Sequence, residues 1–324
     1  MDQTVVICDN KTVDPASQSD LLEAAGADIE ILDEKTEAAV TEAVDGAHAL
    51  IVDAATPVTA ASLTGTDTLR VVGRAGIGVD NVDVDAAAAA GVTVVNVPDY
   101  CLDEVSTHAL SLLLACVRGV PRYDREIAAG TWDWKTGRPL HRMAGRTLGL
   151  VGFGRIARRF ASKLRDFRVD VVAADPNVPA TTMHDYGVER VGFDDLLARS
   201  HFVSVHVPLY EATRGLFSTA AFERMREDAV LVNTSRGPVV DEDALVAALD
   251  AGELAKAGLD VRATEPPGPE DPLAGRDDVV CTPHVGWYSE ESRADLSRSV
   301  ASDVAAVLQG DDPANPVDPE TPWV

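Results

Sequence analysis

The chain has 324 residues, 46% of them hydrophobic and 25% charged, which is enough for two domains with separate cores and too apolar for a disordered polymer. Its 53 acidic residues against 28 basic ones give a formal net charge of −25, a surface that repels nucleic acid and anionic membranes and argues against either as a partner. No apolar run reaches the ~18 residues of a membrane span, and the N-terminus lacks a basic segment followed by an apolar block, so the expectation is a soluble, cytoplasmic protein. The acids are spread along the whole chain, and only five of the basic residues are Lys. Such a surface repels itself unless screened, a lever that halophiles use, so stability is expected to rise with salt. Cys8, Cys101, Cys116 and Cys281 stand singly, without metal-ligand spacing. They read as buried free thiols of a reducing compartment, and no metal is expected.

The first hundred residues alternate β and α. Val5–Cys8, Ile29–Leu32, Ala49–Val52, Leu69–Val72 and Thr93–Val95 are short apolar or β-branched runs, and Ser19–Ala25, Thr36–Val44 and Ala86–Ala90 are helical between them. Mostly apolar strands alternating with helices predict a parallel sheet covered on both faces. Residues 101–120 predict one long apolar helix, preceded by Pro98 and stopped by Pro121. A looser stretch with Trp132 and Trp134 follows. Beyond it, Phe202–Val207, Ala229–Val232, Ala257–Asp260 and Val279–Cys281 read as further strands, with helices at Asp241–Ala251 and about Ser289–Leu308. The Pro- and Asp-rich tail after residue 308 is expected to be poorly packed.

The most informative stretch is 147–175. An apolar run (Leu148 to Val151) enters Gly152-x-Gly154-x-x-Ala157; a helical pattern (Ile156, Phe160, Leu164, Phe167) follows; a second apolar run (Val171 to Ala174) ends in Asp175. Gly152 permits a tight turn, Gly154 lets a pyrophosphate approach the backbone, and the small Ala157 lets helix pack on strand. The helix N-terminus offers free N–H groups and a positive dipole end to phosphates. Asp175, 18 residues past Ala157, can accept hydrogen bonds from a ribose diol and repels a 2′-phosphate. No Arg follows it directly in Pro176-Asn177-Val178, so NAD is expected rather than NADP.

Three polar segments follow strand ends: Asn233-Thr234-Ser235-Arg236-Gly237, Asp260-Val261-Arg262-Ala263-Thr264-Glu265-Pro266, and Thr282-Pro283-His284-Val285-Gly286-Trp287. In open parallel sheets ligands bind beyond the carboxyl ends of strands. The residue types suit reduction of a 2-keto acid. Arg236 supplies a planar cationic fork for a carboxylate and carbonyl. His284 is a proton donor that titrates near neutrality. Glu265 can fix its tautomer. Each also has a plain structural reading, as an ion-pair partner, a hydrogen-bonded His or a solvated loop residue. His206, at a strand end, is expected to face the cofactor.

These stretches, with Gly73-Arg74-Ala75-Gly76-Ile77-Gly78-Val79-Asp80-Asn81-Val82-Asp83 and Gly149-Leu150-Val151-Gly152-Phe153-Gly154-Arg155-Ile156, resemble the D-isomer-specific 2-hydroxyacid dehydrogenases over almost the whole chain. The resemblance implies α/β architecture of two doubly wound parallel-sheet domains, a Rossmann nucleotide-binding domain (99–288) inserted in a flavodoxin-like substrate domain (1–98 plus 289–324). It implies Arg236, Glu265 and His284 as the catalytic trio. Arg74, Gly76, Ile77 and Gly78 would bind the substrate carboxylate, chiefly through backbone N–H groups. Cofactor contacts would include Gly152, Gly154, Arg155, Ile156, Asp175, His206, Pro208, Thr213, Thr234, Ser235 and Asp260. The partners implied are a small 2-hydroxy or 2-keto acid and a second copy of the chain.

Departures sharpen the reading. Residues 53–59 lack the basic side chains found there in phosphoglycerate dehydrogenases, and Asp53 would repel a substrate phosphate. No regulatory domain is expected after residue 324. Both points count against, without removing, a phosphoglycerate dehydrogenase. The segment His284-Val285-Gly286-Trp287-Tyr288-Ser289-Glu290 is similar to a subgroup that includes the C-terminal-binding-protein corepressors, in which the Trp lines the substrate pocket; hinge packing is the alternative reading of Trp287. That leaves an alternative of another class, an NAD(H)-sensing scaffold.

Overall fold

A computed structural model describes residues 3–8 and 12–321. The chain divides into two compact units, one of Met1–Cys101 with Tyr288–Val324 and the other of Leu102–Trp287.

The first unit holds β1 (Gln3–Ile7), β2 (Ala27–Ile31), β3 (Ala49–Val52), β4 (Val71–Arg74) and β5 (Thr93–Val95), all parallel, in the order β2-β1-β3-β4-β5. This is the flavodoxin order. Every residue of β3 and β4 is buried, which follows from helices covering both faces of a parallel sheet. The long Glu290–Gln309 helix, which begins in a Ser289–Ser292 capping box, packs on β4 and on the Pro15–Ala24 helix.

The tail that follows this helix is not loose, contrary to the sequence expectation. Asn315 to Val317 lies antiparallel along β5, with Val317 N–H donating to Val94 O (2.8 Å) and Asn96 N–H to Asn315 O (3.2 Å). Buried Asp303 accepts from the Ala314 N–H and the Asn315 amide. A helix carboxylate thus ties down a segment whose own composition carries no strand signal.

The second unit holds β6 (Thr147–Val151), β7 (Asp170–Ala174), β8 (Glu189–Arg190), β9 (Phe202–Val205), β10 (Val230–Asn233), β11 (Lys256–Leu259) and β12 (Val279–Cys281), parallel throughout in the order β12-β11-β10-β9-β6-β7-β8. The chain leaves β6 toward β7 and returns to β9 on its other side, so β6/β9 is the switch point where doubly wound sheets bind ligands. Register places Val151, Val205, Asn233, Leu259 and Cys281 in one row across the sheet. The next residue of each strand, namely Gly152, His206, Thr234, Asp260 and Thr282, therefore starts a loop on the same edge.

Residues 101–120 do not form one helix. Leu102–Arg118 ends at Gly119, whose φ of 62° is left-handed, and a second helix runs Val120–Ala128. Pro121 starts that second helix rather than stopping the first, because a helix's first turn needs no donor from it. Of the four thiols, Cys8, Cys101 and Cys116 are buried, but Cys281 is exposed, since it ends the sheet's edge strand β12.

Candidate active site

The fingerprint turn is built as its residue types require. Gly152 has φ 89°, and a Cβ there would lie 2.6 Å from the His206 carbonyl oxygen. Only glycine fits. Gly154 is different: a Cβ there would meet no atom within 4 Å. The space above it is open, beside the N-terminus of the Arg155–Lys163 helix with Arg155 exposed and Ile156 half-buried. Ala157 is fully buried beneath. Asp175 accepts from the Phe153 N–H (2.8 Å) and the Asn177 N–H (2.8 Å), which fixes its carboxylate at the end of β7. From β8, Arg190 reaches the Asp175 and Pro176 carbonyls (3.3 and 3.4 Å). A cation therefore does stand beside Asp175, delivered by the next strand rather than the next residue.

After β10, buried Asn233 organises the turn. Its Oδ1 accepts from the Ser235 N–H (3.0 Å) and Oγ (2.9 Å), and its Nδ2 donates to Arg236 O (2.9 Å). Thr234 Oγ1 is buried without a hydrogen-bond partner. An orphan buried hydroxyl costs about 1–3 kcal/mol, and one on the sheet edge that also carries the glycine turn fits a bound ligand that would pair with it. The Arg236 side chain is half-buried, with Nη1 donating to Ser235 O (2.8 Å).

His284 and Glu265 meet. Nδ1 of His284 lies 2.6 Å from Oε2 of Glu265, while Oε1 accepts from the Arg262 N–H at 2.8 Å. Burial pushes the Glu265 carboxyl up, but these two hydrogen bonds and the nearby charges of His284 and Arg236 more than reverse this and hold it below the usual range. The guanidinium, imidazole and carboxylate expected from three separate segments are therefore electrostatically coupled. Trp287 turns its Nε1–H back onto the His284 carbonyl (3.1 Å).

His284 has a φ of 52°, a left-handed conformation costing roughly 1–2 kcal/mol. Asp260, 2% exposed, holds it there. Its carbonyl takes the His284 N–H (2.8 Å); its Oδ1 takes the Val285 N–H (2.9 Å) and Thr282 Oγ (2.6 Å); its Oδ2 takes the Gly286 N–H (2.8 Å). His108 bonds Thr282 Oγ1 (2.8 Å) and approaches Asp260 Oδ1 (3.2 Å). Burial opposes ionisation of Asp260, yet these donors together lower its pKa to about 2. The carboxylate is occupied in shaping the His284 loop.

Other expected contacts are placed as follows. His206 turns its ring inward, onto Phe160 (centroids 5.4 Å apart) and Ser204 Oγ (2.9 Å), and desolvation pushes its pKa down to about 4. Its backbone rather than its imidazole borders the glycine turn. Thr213 Oγ1 donates to Pro208 O (2.6 Å) and pins the 208–213 turn, leaving Pro208 exposed. In the other unit, buried Arg74 lies directly beneath Gly76, where its guanidinium occupies the space a Cβ would need, and bonds Ala75 O (2.8 Å). The carbonyls of Gly76 and Ile77 accept from the Val97 N–H and Asn96 Nδ2. Among the described residues the Ile77 and Gly78 N–H groups make no hydrogen bond, as an anion cradle requires. Asp53, expected to repel a phosphate, is paired with Lys35 and accepts from the Ala55 N–H and Thr56 Oγ1. Its charge is used internally.

Sequence reasoning gave no role to His108, Asn233, Arg190 or Arg262. Asn233 opens a polar segment directly after a strand, a usual Asx-turn signal. The others act across long sequence separations and leave no local mark.

The description "D-isomer specific 2-hydroxyacid dehydrogenase, NAD binding domain" matches residues 110–286. The chain is 35% identical to D-3-phosphoglycerate dehydrogenase of Archaeoglobus fulgidus, over 90% of this chain and 55% of that one. It is 39% identical to hydroxypyruvate reductase of Thermotoga maritima, over 75% of this chain and 79% of that one. A glyoxylate reductase from Paecilomyes thermophila superposes with a TM-score of 0.89 at 26% identity, covering 98% of this chain and 99% of that one. The chain spans about half the length of the first curated relatives it matches. No described helix is long and apolar enough to cross a membrane. A parallel sheet in Rossmann order, a fingerprint turn open above Gly154, a paired His284 and Glu265 coupled to Arg236, and these matches together lead to one conclusion: the chain belongs to the D-isomer specific 2-hydroxyacid dehydrogenase family and carries its NAD binding domain.

Proposed function

We propose that this chain is an NAD-dependent oxidoreductase that interconverts a D-2-hydroxy acid and its 2-keto acid. One observation carries the reading: the 2.6 Å His284–Glu265 bond, with Arg236 acting on the same carboxylate, on the sheet edge where the nucleotide fingerprint ends. In the reducing direction the Arg236 fork holds the substrate carboxylate and draws charge toward the carbonyl oxygen. His284 Nε2 gives its proton to that oxygen as it becomes an alkoxide. Glu265 accepts from Nδ1, fixing the tautomer and stabilising the imidazolium before transfer. The nicotinamide, when bound, supplies or takes the hydride. The Ile77 and Gly78 N–H groups are proposed substrate-carboxylate donors, and Trp287, fixed by His284 O, a wall favouring apolar side chains.

A second reading within the family, phosphoglycerate dehydrogenase, is favoured by the relatives' names and by Asp53 being neutralised by Lys35. Steady-state assays with NADH and NADPH against pyruvate, glyoxylate, hydroxypyruvate, 3-phosphohydroxypyruvate and a bulkier apolar 2-keto acid separate these. We expect turnover with NADH well above NADPH, because Asp175 opposes a 2′-phosphate despite Arg190. Preference for the phosphorylated acid would establish the second reading. NADH binding without turnover of any of them would replace both with a cofactor-sensing scaffold.

The reading extends to a cytoplasmic homodimer adapted to salt. Val120, Ile127, Trp132 and Trp134 are 59%, 48%, 90% and 69% exposed within one 15-residue stretch, an apolar surface that a second copy would cover. With a net charge of −25, melting followed across a KCl series to multimolar concentration should shift upward. Sedimentation in the same series should show a dimer that Trp132→Ser/Trp134→Ser dissociates. A flat melting curve or a wild-type monomer would remove the corresponding feature.

A further inference from the structure

Arg262 is the least expected charge in the second unit. It lies in the loop after β11 and is 8% exposed. Its Nε and Nη2 donate to Glu242 (2.9 and 3.1 Å), and Nη1 and Nη2 donate to Asp271 (2.5 and 2.7 Å). Each carboxylate also takes a backbone N–H: Ala263 on Glu242 (2.8 Å) and Leu273 on Asp271 (3.0 Å). One guanidinium therefore joins the first turn of the Glu242–Ala251 helix to residue 271 and closes both ends of the intervening loop. Glu265 sits inside that loop and takes its fixed donor from the Arg262 backbone at 2.8 Å. Gly237 presses flat on the Arg262 carbonyl with no room for a Cβ, so the Arg236 turn leans on the same residue. Replacing such a buried ion cluster with apolar side chains of like volume is often neutral or stabilising. The cluster's distinctive contribution is geometric, because a planar fork fixes two carboxylate-bearing segments in one orientation.

We propose that Arg262 is a positioning residue for the active site: it sets the Glu265 loop, and through Glu265 the imidazole of His284. This rests on the catalytic reading above, but its structural half can be tested without turnover. Arg262→Met keeps the length and loses the fork; Arg262→Lys keeps the charge. Hydrogen exchange by mass spectrometry should show faster exchange in Arg262→Met across residues 260–268, with 147–164 unchanged and NADH affinity within about twofold. On whichever 2-keto acid the wild type reduces, kcat should fall about 10²-fold with KM for NADH unchanged. The acid limb of kcat/KM should move to higher pH as the loosened loop weakens the bond from the residue-262 N–H, one of the donors that keep Glu265 ionised. Arg262→Lys should be intermediate in both readouts. Unchanged exchange over 260–268, or a wild-type pH limb and kcat, would overturn the proposal. If Arg262→Met does not fold, the same two readouts on Arg262→Lys decide, wild-type values overturning it and reduced ones supporting it. A wild type that reduces none of the acids would overturn the catalytic reading instead, and the exchange result would still stand for or against Arg262.

Discussion

His284→Asn should leave NADH binding within about twofold of wild type and lower kcat for 2-keto acid reduction by about 10²- to 10⁴-fold, the range that a positioned proton donor contributes. The choice of Asn matters. His284 sits at φ 52°, and Asn is among the few residues that accept that conformation readily. The loop should therefore survive with Asp260 still holding the Val285 and Gly286 N–H groups. What is lost is the proposed proton donor to the substrate oxygen. Glu265→Gln should cost less, because it leaves the donor in place and removes only the charge that stabilises it. Fluorescence titration with NADH and single-turnover reduction separate the two effects. A His284→Asn enzyme that turns over at the wild-type rate would remove the imidazole from the chemistry.

Asp260→Ala should be the most destabilising single change near the site. It strips the partner from two backbone N–H groups and one hydroxyl, of which the Gly286 N–H is buried. Orphaned donors cost about 1–3 kcal/mol each, so a loss of about 3 kcal/mol is expected, roughly 6–12 °C in Tm for a unit of this size. Activity should fall with it, since only the backbone bond from the His284 N–H to the residue-260 carbonyl then remains of the contacts by which that residue holds His284 in the left-handed region. The pH dependence has a definite sign. The folded-state pKa of Asp260 is about 2, below the ordinary value of 3.8. Its contribution, on the order of 2 kcal/mol, is present in full above the ordinary carboxylate pKa and is lost as pH falls toward 2. Asp260→Ala should flatten the acid limb of the stability profile there. His206 acts higher on the scale. Its pKa of about 4 lies below the ordinary 6.5, so the unfolded chain binds a proton first and stability declines as pH falls from about 6.5 toward 4. Urea melts from pH 7 to 3 on both proteins check this. An identical acid limb in Asp260→Ala would show that the carboxylate is not held as described.

Much of this was legible in the sequence because it is local. Strands β3, β6, β9 and β10 are short, largely apolar runs, the pattern that a parallel sheet buried on both faces demands. The fingerprint was readable because Gly152 and Gly154 have different jobs, one forbidden a Cβ by the His206 carbonyl and one facing open space. What escaped was long-range. Nothing near residue 108 announces a hydrogen bond to Thr282, nor anything near 190 a contact with Asp175. The ordered tail escapes for the same reason, because Asp303 and β5 hold it and neither is its sequence neighbour. Pro121 reads as a stop, but the break belongs to Gly119, two residues earlier and left-handed at φ 62°. Asp53 reads as free negative charge in the sequence, and Lys35, 18 residues away, pairs with it in the fold.

The most direct measurement is a crystal structure of the wild-type protein with NADH and a non-reducible 2-keto acid analogue such as oxamate. One carbonyl oxygen should lie within about 3 Å of both an Arg236 nitrogen and His284 Nε2, with Glu265 still on Nδ1. An analogue bound elsewhere, or in place with Arg236 and His284 turned to different groups, would contradict the proposed chemistry.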